Sequence, residues 1–342
     1  MSRIIPKIYP SCINSFNKWI NDYPEYYRIY KQIGSPSAFD VSLRDGIQGL
    51  QTMTFEEKIT MYNQIYKYHQ PKNMEIGSIV SEKVLPIFKD SLKVYEYANS
   101  LKYTVNNSNL VVSNNWILIP NEEQFNKIQT MQNMPNLSFI TSVSDKFQLK
   151  NTKMSIDESL QNIRNILVRM DDTKIKYNTN PKTKIYVSCI SECPIDKKVV
   201  PEEKIIETLL KVNDLKPDLI CLSDTCGSLK IKDLNNIMYS SILYRIPIHK
   251  YCLHLHVKLG REEQVESLIE CALNYGIVNF DVSFLESGGC SVTINKKDLA
   301  PNLSYALFYK SLVNYIINIS KYYRKVNYSS NNNDNCRFQQ GV

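Results

Sequence analysis

From residue 38 to residue 283 short apolar runs alternate with stretches of helical periodicity, and that rhythm leaves few architectures open. The runs are AFDVSL (38–43), NMEIGS (73–78), WILIP (116–120), LSFITS (137–142), KIYVSCIS (184–191), DLICLSD (218–224), YCLHLH (251–256) and IVNFDVS (277–283). Helix signals lie between them. The capping box Thr54-x-x-Glu57 opens a helix burying Phe55, Ile59, Tyr62 and Tyr66, and Ser155-x-x-Glu158 opens another with Leu160, Ile163, Leu167 and Met170 on one face. Pro201 stands in the first turn of a third, where proline is tolerated, and Gly276 stops a fourth that carries Val265, Leu268, Ile269 and Ala272. Strands alternating with helices imply a parallel sheet, closed into a barrel or open and doubly wound. The chain has no G-x-G-x-x-G or Walker sequence, so nucleotide-binding forms of the open sheet lose their main support.

Composition narrows the classes further. A chain of 342 residues at 43% hydrophobic and 22% charged can bury a sizeable core. Its net charge of +7 comes from 41 basic and 34 acidic residues of interspersed sign, without a Lys/Arg block or basic stripe, which argues against a nucleic-acid partner. The nine cysteines are an odd number without C-x-x-C spacing, so they read as reduced thiols of a cytosol-like compartment. No apolar run reaches the roughly 18 residues of a membrane span, and the amino-terminal stretch has neither a signal-peptide nor a transit-peptide pattern, so a cytoplasmic location is expected. The expected organisation is a helical segment over 1–34, a barrel domain over 35–325 and a disordered polar tail over 326–342.

The chain holds only 10 glycines and 4 histidines, so places where they gather are informative. Two of the histidines form His254-Leu255-His256 at the end of an apolar run; in a strand, residues i and i+2 share a face, so two imidazoles converge there as a metal site requires. Taken alone, such a pair is more often incidental. At the end of the first run stands Asp40-Val41-Ser42-Leu43-Arg44-Asp45-Gly46-Ile47-Gln48, where a carboxylate can serve a hard cation and a guanidinium can hold an oxyanion. The alternative is an Arg-Asp surface pair in a tight turn with Gly46 at positive φ. Ser287-Gly288-Gly289-Cys290 reads as a mobile loop delivering a thiol or as a turn with a buried cysteine, and Ser223-Asp224-Thr225 precedes another glycine turn. Arg44, Asp45, Glu75, Asp224, His254, His256 and Cys290 all fall at or just beyond the carboxy ends of expected strands. In a barrel those ends form one rim, so the joint occurrence favours a closed (β/α)8 TIM barrel with a site at its mouth.

With these residues in place, the chain resembles the metal-dependent aldolase-type barrels and, among them, the 3-hydroxy-3-methylglutaryl-CoA lyases. LRDGIQ, MEIGSIVSEKVLP, IPN (119–121), NTKMSIDESLQ (151–161), YVSC (186–189) with Cys193-Pro194, SDT (223–225), HLH and the GGC loop carry the likeness, in order, from about residue 35 to about residue 310. The resemblance implies Mg²⁺ or Mn²⁺ held by Asp45, His254, His256 and Asn302. It implies an enolate neutralised by Arg44, proton transfer by Cys290, and Glu75 and Asp224 in the catalytic pocket, with Gln48 and Thr225 beside Arg44 on the substrate. It further implies cleavage of an acyl-CoA substrate to acetyl-CoA and acetoacetate, and it is compatible with a homodimer. The chain departs from the family pattern at Gly49-Leu50, Val257-Lys258, Glu286-Ser287, Ser291 and Tyr305-Ala306. Two other readings stay open: a condensing synthase of the isopropylmalate or homocitrate type, and a barrel that has lost catalysis and binds a partner.

Overall fold

The computed structural model of the chain describes residues 13–104, 114–285, 287–289 and 299–337, the side chains of 102–104, 174 and 326–337 aside. Eight parallel strands close into one barrel in sequence order, as the alternation of runs and helices requires. They are β1 (Ser37–Asp40), β2 (Asn73–Ser78), β3 (Asn114–Leu118), β4 (Asn136–Ser142), β5 (Thr183–Ser188), β6 (Leu219–Asp224), β7 (Tyr251–Leu255) and β8 (Asn279–Val282). Closure is made by β1 and β8, which pair in parallel from Ser37↔Asn279 to Asp40↔Val282. This pairing is what an open sheet lacks, and it brings the first and last runs of the sequence side by side.

Two short helices, α1 (Ile13–Asn21) and α2 (Pro24–Gln32), precede the barrel. Around it run α3 (Phe55–His69), α4 (Ser91–Thr104), α5 (Glu122–Phe125), α6 (Asp145–Thr152), α7 (Ile156–Tyr177), α8 (Glu202–Asp214), α9 (Ile231–Leu243), α10 (Glu262–Asn274) and α11 (Tyr305–Arg337). Their starts follow the sequence signals. In α3 the Thr54 and Glu57 side chains and backbone N–H groups cap each other reciprocally, and Ser155 and Glu158 do the same for α7. The C-terminus of α10 is followed by Gly276 at φ +84°, the left-handed conformation that a residue without Cβ adopts at no steric cost. The α10 face is buried as its spacing dictates: Val265, Leu268, Ile269 and Ala272 all lie in the core, the larger side chains contributing about 1.5–3 kcal/mol each.

Period-two alternation sorts every strand into two environments. Ile185, Val187, Ile220, Leu222, Leu253 and Phe280 join the main core between sheet and helices. Their neighbours point into the barrel, where Phe39 and Trp116 form one small apolar cluster and Leu118, Tyr186, Cys221 and Cys252 another. The expected tail boundary at 326 is not where the last helix ends: the backbone of α11 continues to Arg337. Serine and asparagine are poor helix formers by only a few tenths of a kcal/mol each, so they extend a helix whose stem is already nucleated by packing. Among the described residues no helix is long and apolar enough to cross a membrane, and the six described cysteines are all free thiols.

Candidate active site and metal centre

Residues Ser42–Gly46 form a single π-type turn directly beyond β1. Asp40 initiates it by accepting from the Ser42 backbone N–H at 3.0 Å and the Ser42 hydroxyl at 2.8 Å. Gly46 is needed here for close approach: a Cβ on it would lie 2.7 Å from Ser283 Oγ, whereas its φ is not among the positive ones. The turn is laced to the segment after β8, since Phe284 N–H donates to Ser42 Oγ and Ser287 Oγ donates to the Gly46 carbonyl. Arg44 and Asp45 are thereby buried at 6% and 5% exposure, which removes the surface-pair reading of this motif.

Arg44 forks between two carboxylates. Its Nη1 donates to Asp45 Oδ1 at 2.6 Å, its Nε donates to Glu75 Oε2, and the guanidinium lies 4.8 Å from the centre of the Tyr186 ring. The Tyr186 hydroxyl also donates to Glu75 Oε2, at 3.0 Å, so Glu75 holds Arg44 from behind. Burial alone would raise the Asp45 carboxyl, but the Arg44 guanidinium and the two imidazoles beside it hold it well below the usual carboxylate range. Asp45 Oδ2 accepts from Gly289 N–H at 3.0 Å and from Asn302 Nδ2 at 2.9 Å.

The two histidines of β7 complete the group. His254 Nδ1 is 3.0 Å from Asp281 Oδ2, and His256 Nδ1 is 2.9 Å from the Ala300 carbonyl. Both Nε2 atoms are left facing one another at 3.2 Å, with Asp45 Oδ2 3.9 Å from the His254 Nε2. One ligand atom from each of Asp45, His254 and His256 lies within 4.8 Å of the others, and all three residues are buried. Asn302 Oδ1 is buried beside them without a hydrogen-bond partner. A carbonyl can only accept, so His256 donates from Nδ1 and turns a lone pair on Nε2 toward its neighbour. Converging lone pairs, a carboxylate and an orphaned amide oxygen are a donor set that fits a divalent cation. Burial, then the neighbouring His254, lowers His256 to about 4, so this imidazole is neutral, the form that binds metal, near neutral pH.

The group lies in a cleft of about 890 Å³, open mouth included, which Arg44, Asp45, Gln48, Thr225, His254 and His256 all line. Its apolar lining includes Val84, Leu85, Phe88, Leu118 and Phe147. Thr225 also accepts from Cys189 N–H at 2.8 Å, tying the β6 loop to the β5 loop. Asp224, like Glu75, is not among the residues lining this cleft. Its Oδ1 accepts from the Ser191 hydroxyl and Ser228 N–H and its Oδ2 from Leu229 N–H, so it organises the turn that leads to α9. Cys290 lies outside the described residues. Sequence reasoning missed Asp281, Lys184 and Tyr186; the available signal was a charged or polar residue at the inward parity of an otherwise apolar run. Gly49, Leu50, Val257, Lys258, Tyr305 and Ala306, which depart from the family pattern, are not among the residues lining the cleft. Tyr305 instead donates to Asp40 at 2.9 Å and stacks on His69 outside the strand ring.

No family model matches the chain. A mitochondrial hydroxymethylglutaryl-CoA lyase of Arabidopsis thaliana is 27% identical over 254 residues, covering 73% of this chain and 49% of that protein. The match therefore spans about half the length of the Arabidopsis protein. The mitochondrial enzyme of that name from Mus musculus is 26% identical over 255 residues, covering 73% of this chain and 71% of its own. Among solved structures, a hydroxymethylglutaryl-CoA lyase from Acinetobacter baumannii in complex with coenzyme A and 3-methylmalate superposes with a TM-score of 0.66 at 21% identity, covering 83% of this chain and 84% of that one. That likeness is one of fold.

Proposed function

Since the chain is a divergent member of the hydroxymethylglutaryl-CoA lyase family, we propose that it is a divalent-metal-dependent carbon–carbon lyase that splits 3-hydroxy-3-methylglutaryl-CoA into acetyl-CoA and acetoacetate. The observation that carries this reading is the convergence of Asp45, His254 and His256 beside Arg44 in the lining of one cleft, with Asn302 hydrogen-bonded to Asp45. Retro-aldol cleavage breaks the bond between C2 and C3 of the substrate. It needs loss of the C3 hydroxyl proton, a stabilised enolate on the thioester fragment, and protonation of that fragment at C2. The proton lost and the proton gained balance, so no further reactant is required.

Asp45, His254, His256 and Asn302 would hold Mg²⁺ or Mn²⁺, which when bound supplies Lewis acidity to the substrate hydroxyl and carboxylate. Arg44 lines the cleft and is pinned by Glu75 and Asp45, so its remaining N–H groups would serve as fixed donors, pre-organised for an enolate oxygen. Fixed donors of this kind stabilise developing charge without reorganising, an effect worth about 3–4 kcal/mol per donor. The apolar wall of Leu85, Phe88 and Phe147 excludes water from the reacting carbon. Cys290 would return the proton to C2 from the segment after Gly289.

A coupled assay for acetoacetate with the purified chain and added Mn²⁺ tests the reading. Metal-dependent product is expected, abolished in His254→Ala and strongly reduced in Cys290→Ala. Absence of metal-dependent product from the parent chain would refute the lyase function, and full activity of Cys290→Ala would remove the thiol from it.

A further inference from the structure

We propose that Lys184 and Asp281 form a buried positioning pair that holds His254 as the Nδ1–H tautomer and so aims its Nε2 lone pair at the cation; this rests on the metal reading above. Asp281 is on β8 and Lys184 on β5, both fully buried inside the barrel beneath His254. The two oxygens of Asp281 receive four donors. Lys184 Nζ at 2.6 Å and Cys252 Sγ at 3.0 Å lie on Oδ1, while His254 Nδ1 at 3.0 Å and Cys221 Sγ at 3.7 Å lie on Oδ2. A carboxylate held on both oxygens cannot rotate away from the imidazole. An ionised carboxylate only accepts, so the proton between Asp281 and His254 sits on Nδ1.

Lys184 does nothing else that the geometry reveals. It does not line the cleft, and its ammonium is packed 3.5 Å from the centre of the Phe39 ring and 4.4 Å from that of Tyr186. A buried ion pair is weak evidence for stability, because apolar side chains of similar volume usually serve as well. What the pair supplies is a fixed anionic acceptor under a metal ligand, the arrangement by which a carboxylate sets the orientation and basicity of a histidine. Lys184 also resolves an ambiguity in the barrel floor. Cys221, Cys252 and Asp281 lie close enough to one another to hold an ion, but the ammonium on Asp281 Oδ1 repels a cation there. The charge pair thus directs the metal to the upper group and away from the lower one.

Two measurements on the full chain test this. Long-range ¹H–¹⁵N correlation of the metal-free protein reports the tautomer of each of its 4 histidines, with His254 assigned through His254→Gln. The Nδ1–H form is expected for His254, and an Nε2–H form would overturn the proposal without any variant having to fold. Mn²⁺ affinity, read by electron paramagnetic resonance, is then compared between the parent and the double variant Lys184→Met, Asp281→Leu, which replaces the pair by apolar groups. A roughly 10- to 100-fold weaker affinity is expected in a double variant that keeps the parent's circular dichroism. Unchanged affinity in that folded variant would overturn the positioning role while leaving the metal site intact. A parent chain that binds no Mn²⁺, or binds it equally after Asp45→Asn, would instead refute the metal reading and this inference with it.

Discussion

Replacing Gly288 by alanine is expected to damage the metal group from a position that contributes no side chain to it. Gly288 adopts φ +147°, and a Cβ built there would lie 2.2 Å from Asn302 Nδ2 and 2.6 Å from Asn302 Cγ. No real Cβ approaches so closely, so Asn302 must turn, giving up its hydrogen bond to Asp45 and moving its unpartnered Oδ1. Backbone strain of about 1–3 kcal/mol and the loss of a hydrogen bond to a charged acceptor, about 1.5–3 kcal/mol, overlap rather than add. A net loss of about 2–4 kcal/mol follows. At about 2.1 cal/mol/K of unfolding entropy per residue, a chain of 342 residues loses roughly 1.4 °C of Tm per kcal/mol, so Tm should fall by about 3–6 °C. Mn²⁺ affinity should fall about 10- to 100-fold, as when a supporting group of a metal centre is disturbed. Gly260→Ala is the control: it shares a positive φ, +74°, but a Cβ there meets nothing within 4 Å, so it should cost about 1 kcal/mol and leave Mn²⁺ binding untouched. If Gly288→Ala binds Mn²⁺ as tightly as the parent and melts no lower than Gly260→Ala, the argument that the glycine makes room for Asn302 is wrong.

Three further outcomes are expected. Arg44→Lys keeps the charge but not the fork between Asp45 and Glu75, so acetoacetate formation should drop about 10²- to 10³-fold while Mn²⁺ still binds; a parent-like rate would show that the fork is unimportant. Asp224→Asn leaves one oxygen to serve three donors, so denaturant unfolding should show a loss of about 1–2 kcal/mol with Mn²⁺ affinity unchanged; weakened metal binding would return Asp224 to the site. Burial lowers His69 from about 6.5 to about 4 in the folded chain, so the unfolded state binds its proton first and stability is lost as pH falls through that window. His256 acts in the same sense, and Asp40, raised by burial to about 7, acts in the opposite one, so the prediction concerns a difference. Urea unfolding of metal-free His69→Gln should be less sensitive to acid than that of the parent between pH of about 6.5 and about 4, and parallel curves would contradict it.

Much of the barrel was legible because its signals are local. Each apolar run became a strand, and the caps at Thr54 and Ser155 and the glycine after α10 stand where short-range chemistry puts them. His254 and His256 share a face because alternate strand residues must, and Arg44 and Asp45 follow β1 directly, so the nucleus of the candidate site could be read from spacing alone. Other features look identical in sequence and differ in space. Asp45 follows β1 and Asp224 ends β6; Asp45 lines the cleft, while Asp224 spends both oxygens on its own turn and a neighbouring serine.

What tertiary structure alone decided is the pairing of residues far apart along the chain. Lys184 reaches Asp281 across 97 positions, and Asn302 reaches Asp45 across 257. Strand periodicity assigns each to a face but says nothing about which partner stands opposite; that is set by the register of adjacent strands and by the closure of β1 on β8. Closure also removed the choice between barrel and open sheet, since only a closed ring brings the first strand's arginine and aspartate beside the last strand's loop. The runs and their polar ends are therefore properties of the chain. The metal-ready geometry, with its lone pairs turned to one point by anchors beneath them, is a property of the ring.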